Sequence, residues 1–197
     1  MKKIDFNNVY HIFGRGRRLE GRRYGMRIFH NEEDRIKFLS YLNRFRKKFN
    51  ARVFVFALMD NHFHFLVYCL RPRELVKELC YAYNGYYSWK YKYAGPIFDK
   101  IANPILKNNN AWALDSMLYI INNPREAGLS KIPSEYKWTS YRCYTKRIPR
   151  IFSVIEIDTT LFSDNFSDLK DFKKELDVKL QLMLQQKKHK RDRASQN

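Results

Sequence analysis

Runs of apolar residues interrupted by a short polar pair predict a β-hairpin in the middle of the chain. Residues 52–59 (RVFVFALM) and 65–68 (FLVY) are each suited to a buried strand, and a turn-like Asp-Asn pair lies between them. After that turn come His62 and His64, separated by one bulky apolar residue. Side chains at i and i+2 share one face of a strand, so the two imidazoles should project together. A metal site needs such an arrangement, although histidine is also an ordinary sheet residue.

Similar patterns predict one more strand and several helices. Residues 9–13 are typical of a strand, and Asn31 followed by acidic residues is typical of a helix start. The apolar stripe of that first helix consists of Ile36, Leu39 and Leu42. The other predicted segments are a helix at roughly 72–92, a helix at 111–123 that stops at Pro124, a helical stretch within 155–186 and a disordered basic tail at 187–193.

The charge balance indicates a polyanionic partner. The chain has 38 Lys and Arg against 20 Asp and Glu, a formal net charge of +18 over 197 residues. Neutralising phosphates and releasing their counterions drives such chains onto nucleic acid, which is the expected partner. A membrane partner is not expected, because no apolar run is long enough to cross a bilayer and no strongly amphipathic basic helix opens the chain. The sequence also has no signal-peptide pattern, so a cytoplasmic, nucleoid-associated location is expected.

A segment rich in glycine and arginine follows the first predicted strand. It contains six arginines against a single acid, Glu20. Guanidinium groups match phosphate oxygens, and glycine lets a backbone come close to a ligand. This segment is expected to contact DNA, with a solvated hairpin as the alternative. The arginines assigned to DNA binding are Arg15, Arg17, Arg18, Arg22 and Arg23.

Several other residues with reactive side chains are expected to be structural. The three cysteines show neither a CxxC pair nor a zinc-ribbon spacing, which is typical of thiols in a reducing compartment. The tyrosines of the second predicted helix fit either an apolar core or a stacking platform for unpaired bases. Structural or solvent-exposed positions are expected for His11, His30 and His189.

Six segments in a fixed order carry a resemblance to a known family. They are residues 10–16 (YHIFGRG), 28–29 (IF), 59–66 (MDNHFHFL), 95–98 (GPIF), 119–129 (YIINNPREAGL) and 138–141 (WTSY). Over roughly residues 9–145 the chain resembles the HUH single-tyrosine transposases, specifically the REP-associated tyrosine transposase type. Phe63 is bulkier than the usual residue between the two histidines and is expected to face the core.

The resemblance implies an α+β, ferredoxin-like fold: an antiparallel sheet with helices packed on one face and the histidines on a central strand. The transposase-like domain would occupy residues 1–149. Residues 150–197, which have no matched counterpart, would form a helical appendage and the basic tail.

The resemblance also implies an active site. Tyr119 would be the nucleophile, with Tyr83 and Tyr86 as competitors, and His62, His64 and Asn123 would bind Mg²⁺ or Mn²⁺. The enzyme would nick and rejoin single-stranded or hairpin DNA through a 5′-phosphotyrosine, as a monomer or homodimer. Two alternatives remain open: an inactive DNA-binding regulator with the same fold, and a metal-dependent hydrolase of RNA or a small phosphodiester.

Overall fold

A computed structural model describes residues 3–21, 25–99, 103–145 and 153–194. No helix in these ranges is both long and apolar enough to cross a bilayer. The regular elements are β1 (Val9–Arg15), α1 (Glu32–Lys48), β2 (Arg52–Met59), β3 (His62–Tyr68), α2 (Pro72–Tyr91), β4 (Ile105–Leu106), α3 (Asn110–Glu126), α4 (Thr160–Ser163) and α5 (Leu169–Ala194), with short 3₁₀ helices at Phe6–Asn8 and Ser140–Tyr144.

The four strands form one antiparallel sheet in the order β2-β3-β1-β4. The predicted hairpin is confirmed as β2 and β3, and β3 begins at the first histidine. On β1, Phe13 lies opposite His64 and Arg15 lies opposite His62. The histidines therefore lie on a central strand, as expected.

Alternate residues of β3 divide the core between the two faces of the sheet. Phe63, Phe65 and Val67 join the apolar cluster formed with α1 and α2. Leu66 belongs to a second cluster, formed with α3 and α5 on the other face. The α+β antiparallel fold is confirmed, but the expectation of helices on one face is wrong. β2 and β3 are buried almost throughout, and a sheet that is apolar on both sides needs cover on both.

Local signals account for the first helix. The Asn31 side chain accepts a hydrogen bond from the backbone N–H of Asp34 at 3.1 Å, and the Asp34 carboxylate accepts one from the backbone N–H of Asn31 at 3.3 Å. This reciprocal capping box satisfies amide groups that a helix start leaves without partners. The helix begins where the sequence predicts.

The third helix does not stop at Pro124. α3 continues to Glu126, because proline in the last turn removes one helical hydrogen bond while later amides keep theirs. The Ala127 amide donates to the Asn123 carbonyl at 3.1 Å, and the Leu129 amide donates to the Pro124 carbonyl at 2.9 Å.

The basic tail predicted to be disordered is helical as far as Ala194. Residues 187–193 form the end of α5, which packs against α3. The Asn122 side-chain amide donates to the Leu176 carbonyl at 2.7 Å, and Lys187 pairs with Glu126 at 2.6 Å. The Lys187 contact anchors the start of a segment whose composition alone suggests repulsion between like charges. The predicted domain boundary near residue 150 stays a prediction.

Candidate active site

Strand β3 and helix α3 bring four of the predicted site residues together. The His62 Nε2 atom lies 2.9 Å from the Asn123 Oδ1 atom. The ring centroids of His62 and His64 are 5.2 Å apart, and those of His64 and Tyr119 are 5.6 Å apart. Two ligand candidates from the sheet therefore face an amide and a phenol from the helix.

The positions follow from two simple periodicities. Residues two apart on β3 share the sheet face that α3 covers, and residues four apart on α3 lie one turn apart on the same side. Buried apolar side chains hold that helix on the sheet, namely Ala113, Met117, Ile120 and Ile121. The site is thus carried by regular elements and not by loops.

Burial keeps the imidazoles neutral at pH 7. The pKa of His62 is lowered by its partial burial, which outweighs the hydrogen bond with Asn123. The pKa of His64 falls well below 6.5, first because of burial and then because of the neighbouring His11 and His62. Neutral imidazole is the form that binds a metal ion.

The phenol of Tyr119 is protonated at neutral pH. Burial and the nearby Glu126 carboxylate raise the pKa of Tyr119, against an opposing hydrogen-bonding interaction with Asn123. A phenol in this state is a weak nucleophile, so attack requires help from its surroundings.

His11 also belongs to the site, which the sequence analysis did not anticipate. Its Nε2 atom lies 3.0 Å from the Nδ1 atom of His64, and its ring centroid lies 5.9 Å from that of Tyr119. Burial, with a smaller effect of Lys107, lowers the pKa of His11 to about 4. The signal is the pairing of β1 with β3: Phe13 is opposite His64, so His11, two residues along, shares its face. That register is a long-range property which neither segment reveals alone.

The His11 contact also bears on how His64 is oriented. One nitrogen of the pair donates and the other accepts, so the bond fixes which tautomer each ring adopts. Within the described residues, the Nε2 atom of His64 has no hydrogen-bond partner. If His64 donates from Nδ1, its Nε2 atom is left as the free metal-binding atom.

The structure describes three of the five arginines that the sequence assigns to DNA binding. Arg15, Arg17 and Arg18 are exposed, and Arg15 lies opposite His62 across the two strands. A β-carbon at Gly16 would lie 2.0 Å from the Met26 carbonyl oxygen, so only glycine lets the two backbones approach here. The other two predicted DNA contacts, Arg22 and Arg23, lie outside the described residues.

The competing tyrosines of α2 lie on the opposite side of the sheet. Tyr83 is fully buried and donates to the Ile28 carbonyl at 2.7 Å. Tyr86 donates to the Asp34 carboxylate at 3.1 Å. Both contacts anchor α2 to α1 and the segment before it. Neither tyrosine shares the face on which the histidines lie.

The donor set fits a small divalent cation. In the described residues, no three His, Cys, Asp or Glu side chains are grouped to hold a metal ion. The set on the sheet instead combines two imidazoles with an amide oxygen, donors that Mn²⁺ and Mg²⁺ accept to different degrees. Adjacent ligands of an octahedral ion with bonds of about 2.0–2.1 Å are separated by about 2.9 Å. His62 Nε2 and Asn123 Oδ1 are 2.9 Å apart as hydrogen-bond partners, and this bond would have to open for both atoms to bind one ion.

Comparison with known proteins gives a relation at the level of the fold. No family model matches the sequence, and no curated protein matches it. A solved structure of a REP-associated tyrosine transposase bound to a REP hairpin is similar, with a TM-score of 0.54 and 14% sequence identity. The similarity covers 85% of this chain and 93% of that one. The expected α+β fold with an antiparallel sheet is thus shared with that transposase.

Proposed function

We propose that this protein is a metal-dependent endonuclease and strand transferase that acts on single-stranded DNA near hairpins. The observation that carries the proposal is the placement of Tyr119 beside His62, His64 and Asn123. The hairpin bound by the similar structure and the net charge of +18 add support for the choice of partner. The net charge supports nucleic acid in general as the partner, so the proposed reaction rests on the arrangement of the site residues.

The reaction is a phosphoryl transfer. The Tyr119 oxygen attacks a backbone phosphorus, a tyrosine O–P bond forms, and the bond from that phosphorus to the 3′ oxygen breaks. The phenol gives up its proton, and the leaving 3′ oxygen takes one up. The 5′-phosphotyrosine stores the bond energy, so a 3′ hydroxyl can rejoin the strand without ATP.

The site residues would divide the work between them. When held by His62, His64 and Asn123, Mg²⁺ or Mn²⁺ would offset the charge that develops on the scissile phosphate. The raised pKa of Tyr119 keeps the phenol protonated at neutral pH, so its proton must leave as the bond to phosphorus forms. Helix α3 fixes the distance between the nucleophile and the amide, so both approach the phosphate from one side.

The test is covalent capture of DNA. A labelled pool of hairpin oligonucleotides with randomised single-stranded flanks is incubated with Mn²⁺, and protein-bound label is measured after denaturation. The wild type should form an adduct and Tyr119→Phe should form none. Tyr81→Phe, an exposed tyrosine on the opposite side of the sheet, is the matched control and should behave as the wild type. An adduct in Tyr119→Phe would overturn the assignment.

A second candidate is a DNA-binding regulator without catalytic activity. Three exposed arginines at and just after the end of β1, namely Arg15, Arg17 and Arg18, favour DNA binding whether or not a reaction follows. Tight, salt-sensitive binding of the same oligonucleotides with no adduct and no nicking would select this function. Free products bearing the 5′ phosphate would instead point to a hydrolase.

A further inference from the structure

Tyr119 lies between two cavities on the side of the sheet that α3 covers. The sheet-side cavity, about 330 Å³, is lined by Tyr119 together with His64, Phe13, Ile105 and Lys107. The helix-side cavity, about 200 Å³, is lined by Tyr119 together with Glu126, Met183, Gln186, Lys187 and Lys190. The candidate nucleophile is therefore open to two separate spaces, one bounded by the sheet edge and one by α5.

The sheet-side cavity contains a lysine whose charge is not neutralised by a neighbour. The Lys107 backbone N–H donates to the Val9 carbonyl at 2.7 Å, which extends the pairing of β4 and fixes the lysine at the rim. Its ammonium group makes no ion pair with any described residue. Asp115, the acid in this cavity, is already paired with Lys179 of α5. Phe13 and Ile105 supply an apolar and aromatic wall.

The helix-side cavity has the same character. Met183, Gln186, Lys187 and Lys190 follow the i, i+3, i+4, i+7 spacing that places them on one face of α5. Lys187 neutralises Glu126 at 2.6 Å. Lys190 is exposed and, within the described part of the chain, has no acidic partner. Each cavity therefore has one lysine left over after its internal pairs are counted.

We propose that a single DNA strand runs across Tyr119 from one cavity to the other, with Lys107 and Lys190 binding the phosphates on either side of the one that reacts. The inference rests on the proposed function and adds the C-terminal helix to the substrate site. An ammonium group on each side holds the backbone in register, and Phe13 offers a ring on which an unpaired base can stack. The strand is thereby held at two points around the phenol.

Strand binding is measured by fluorescence anisotropy with a labelled oligothymidylate, using the full chain without added metal. Lys107→Ala and Lys190→Ala should each weaken binding about 3–10-fold and lower the slope of log affinity against log salt by about 0.7. Lys188→Ala is the matched control, because this exposed lysine lies two residues from Lys190 and faces away from the cavity. Binding and slopes equal to those of the wild type in both cavity variants would overturn the proposal.

Photocrosslinking locates the strand independently. A 4-thiothymidine version of the probe should crosslink to peptides containing Phe13 or Met183, and crosslinks confined to α1 and α2 would contradict the inference. The adduct assay separates this outcome from the proposed function. If both lysine variants weaken binding but no adduct forms, the strand path holds and the enzyme assignment fails. If the adduct forms but both variants bind normally, the enzyme assignment holds and the strand path fails.

Discussion

The two faces of the sheet differ in how they use their buried polar groups. On the face covered by α1 and α2, the Asp34 carboxylate accepts hydrogen bonds from Lys90, Tyr86 and Tyr91, and from the backbone N–H of His30. The hydrogen-bonding capacity of this carboxylate is therefore satisfied by groups of the protein itself. On the face covered by α3, the Nε2 atom of His64 has no hydrogen-bond partner among the described residues.

The comparison shows that a buried polar group does not by itself indicate a functional site. Both faces contain buried polar side chains, and both contain tyrosines close to histidines. The difference is that Asp34 and its partners fasten α1 to α2, whereas His64 and Tyr119 line open cavities. Groups left open in this way are where a ligand can bind.

The largest expected effect comes from comparing two adjacent residues of β3, Phe63 and His62, which face opposite sides of the sheet. Phe63 is fully buried and its ring centroid lies 4.8 Å from that of Phe38, so Phe63→Ala should lower the free energy of unfolding by about 3–5 kcal/mol. His62→Ala should cost less than about 1 kcal/mol, because its side chain is only partly buried. Urea denaturation of both variants measures the difference. Equal losses of stability would show that the two faces are not separated as described.

The charge of Asp34 tests whether the polar contacts on the face covered by α1 and α2 stabilise the fold. Burial alone would raise the pKa of Asp34, but hydrogen bonds from Lys90 and Tyr91 more than offset this and lower it below 3.8. A lowered folded-state pKa stabilises the fold above the unfolded pKa, and this contribution is lost as the pH falls through the folded value. Asp34→Asn should therefore cost about 2–3 kcal/mol at pH 7 and progressively less below about pH 4.

Urea titrations across that pH range check the prediction for Asp34. Asp164→Asn is the control, since Asp164 is exposed and its replacement should change stability by less than about 0.5 kcal/mol. A gap between wild type and Asp34→Asn that stays constant down to pH 2.5 would show that the charge is not the source of the stabilisation.

Local patterns predicted the elements whose signals lie within one segment. The apolar runs on either side of the turn gave β2 and β3, and Asn31 with its following acids gave the start of α1. β4 has only two residues, Ile105–Leu106, too few to show any alternation. The sequence rules also stopped α3 too early, because they do not distinguish a proline in the middle of a helix from one in its last turn.

Long-range contacts determine the features that local patterns did not predict. α5 is helical to Ala194, and its contacts with α3 reach as far as Lys187, which composition cannot predict. The spacing of His62 and His64 on a strand singled out those two residues, and the resemblance added Tyr119 and Asn123. The structure brings the four together without testing their roles. His11 was missed because its partner is 53 positions away along the chain.

The contact between His11 and His64 gives the next prediction. If it holds His64 in the tautomer that leaves Nε2 free, His11→Asn should weaken Mn²⁺ binding about 10–100-fold. Isothermal titration calorimetry of the DNA-free protein measures this directly. His30→Asn is the control from the other face, where the imidazole contacts the Tyr87 hydroxyl at 2.9 Å. It should alter stability and leave Mn²⁺ affinity unchanged. A similar loss of affinity in both variants would show that the His11 contact has no specific effect on metal binding.

The smallest expected effect is at the rim of the α3 face. Arg15 is exposed and lies opposite His62, so its charge is placed to meet a phosphate close to the candidate site. Arg15→Ala should weaken binding of a hairpin oligonucleotide with single-stranded flanks by about 3–10-fold at low salt, with a smaller difference as salt rises. Arg44→Ala, an exposed arginine on α1, is the matched control for loss of one positive charge. Anisotropy titrations at several salt concentrations decide the matter: equal losses in the two variants would mean that DNA responds to net charge, and a loss confined to Arg15→Ala would place the DNA on the histidine face.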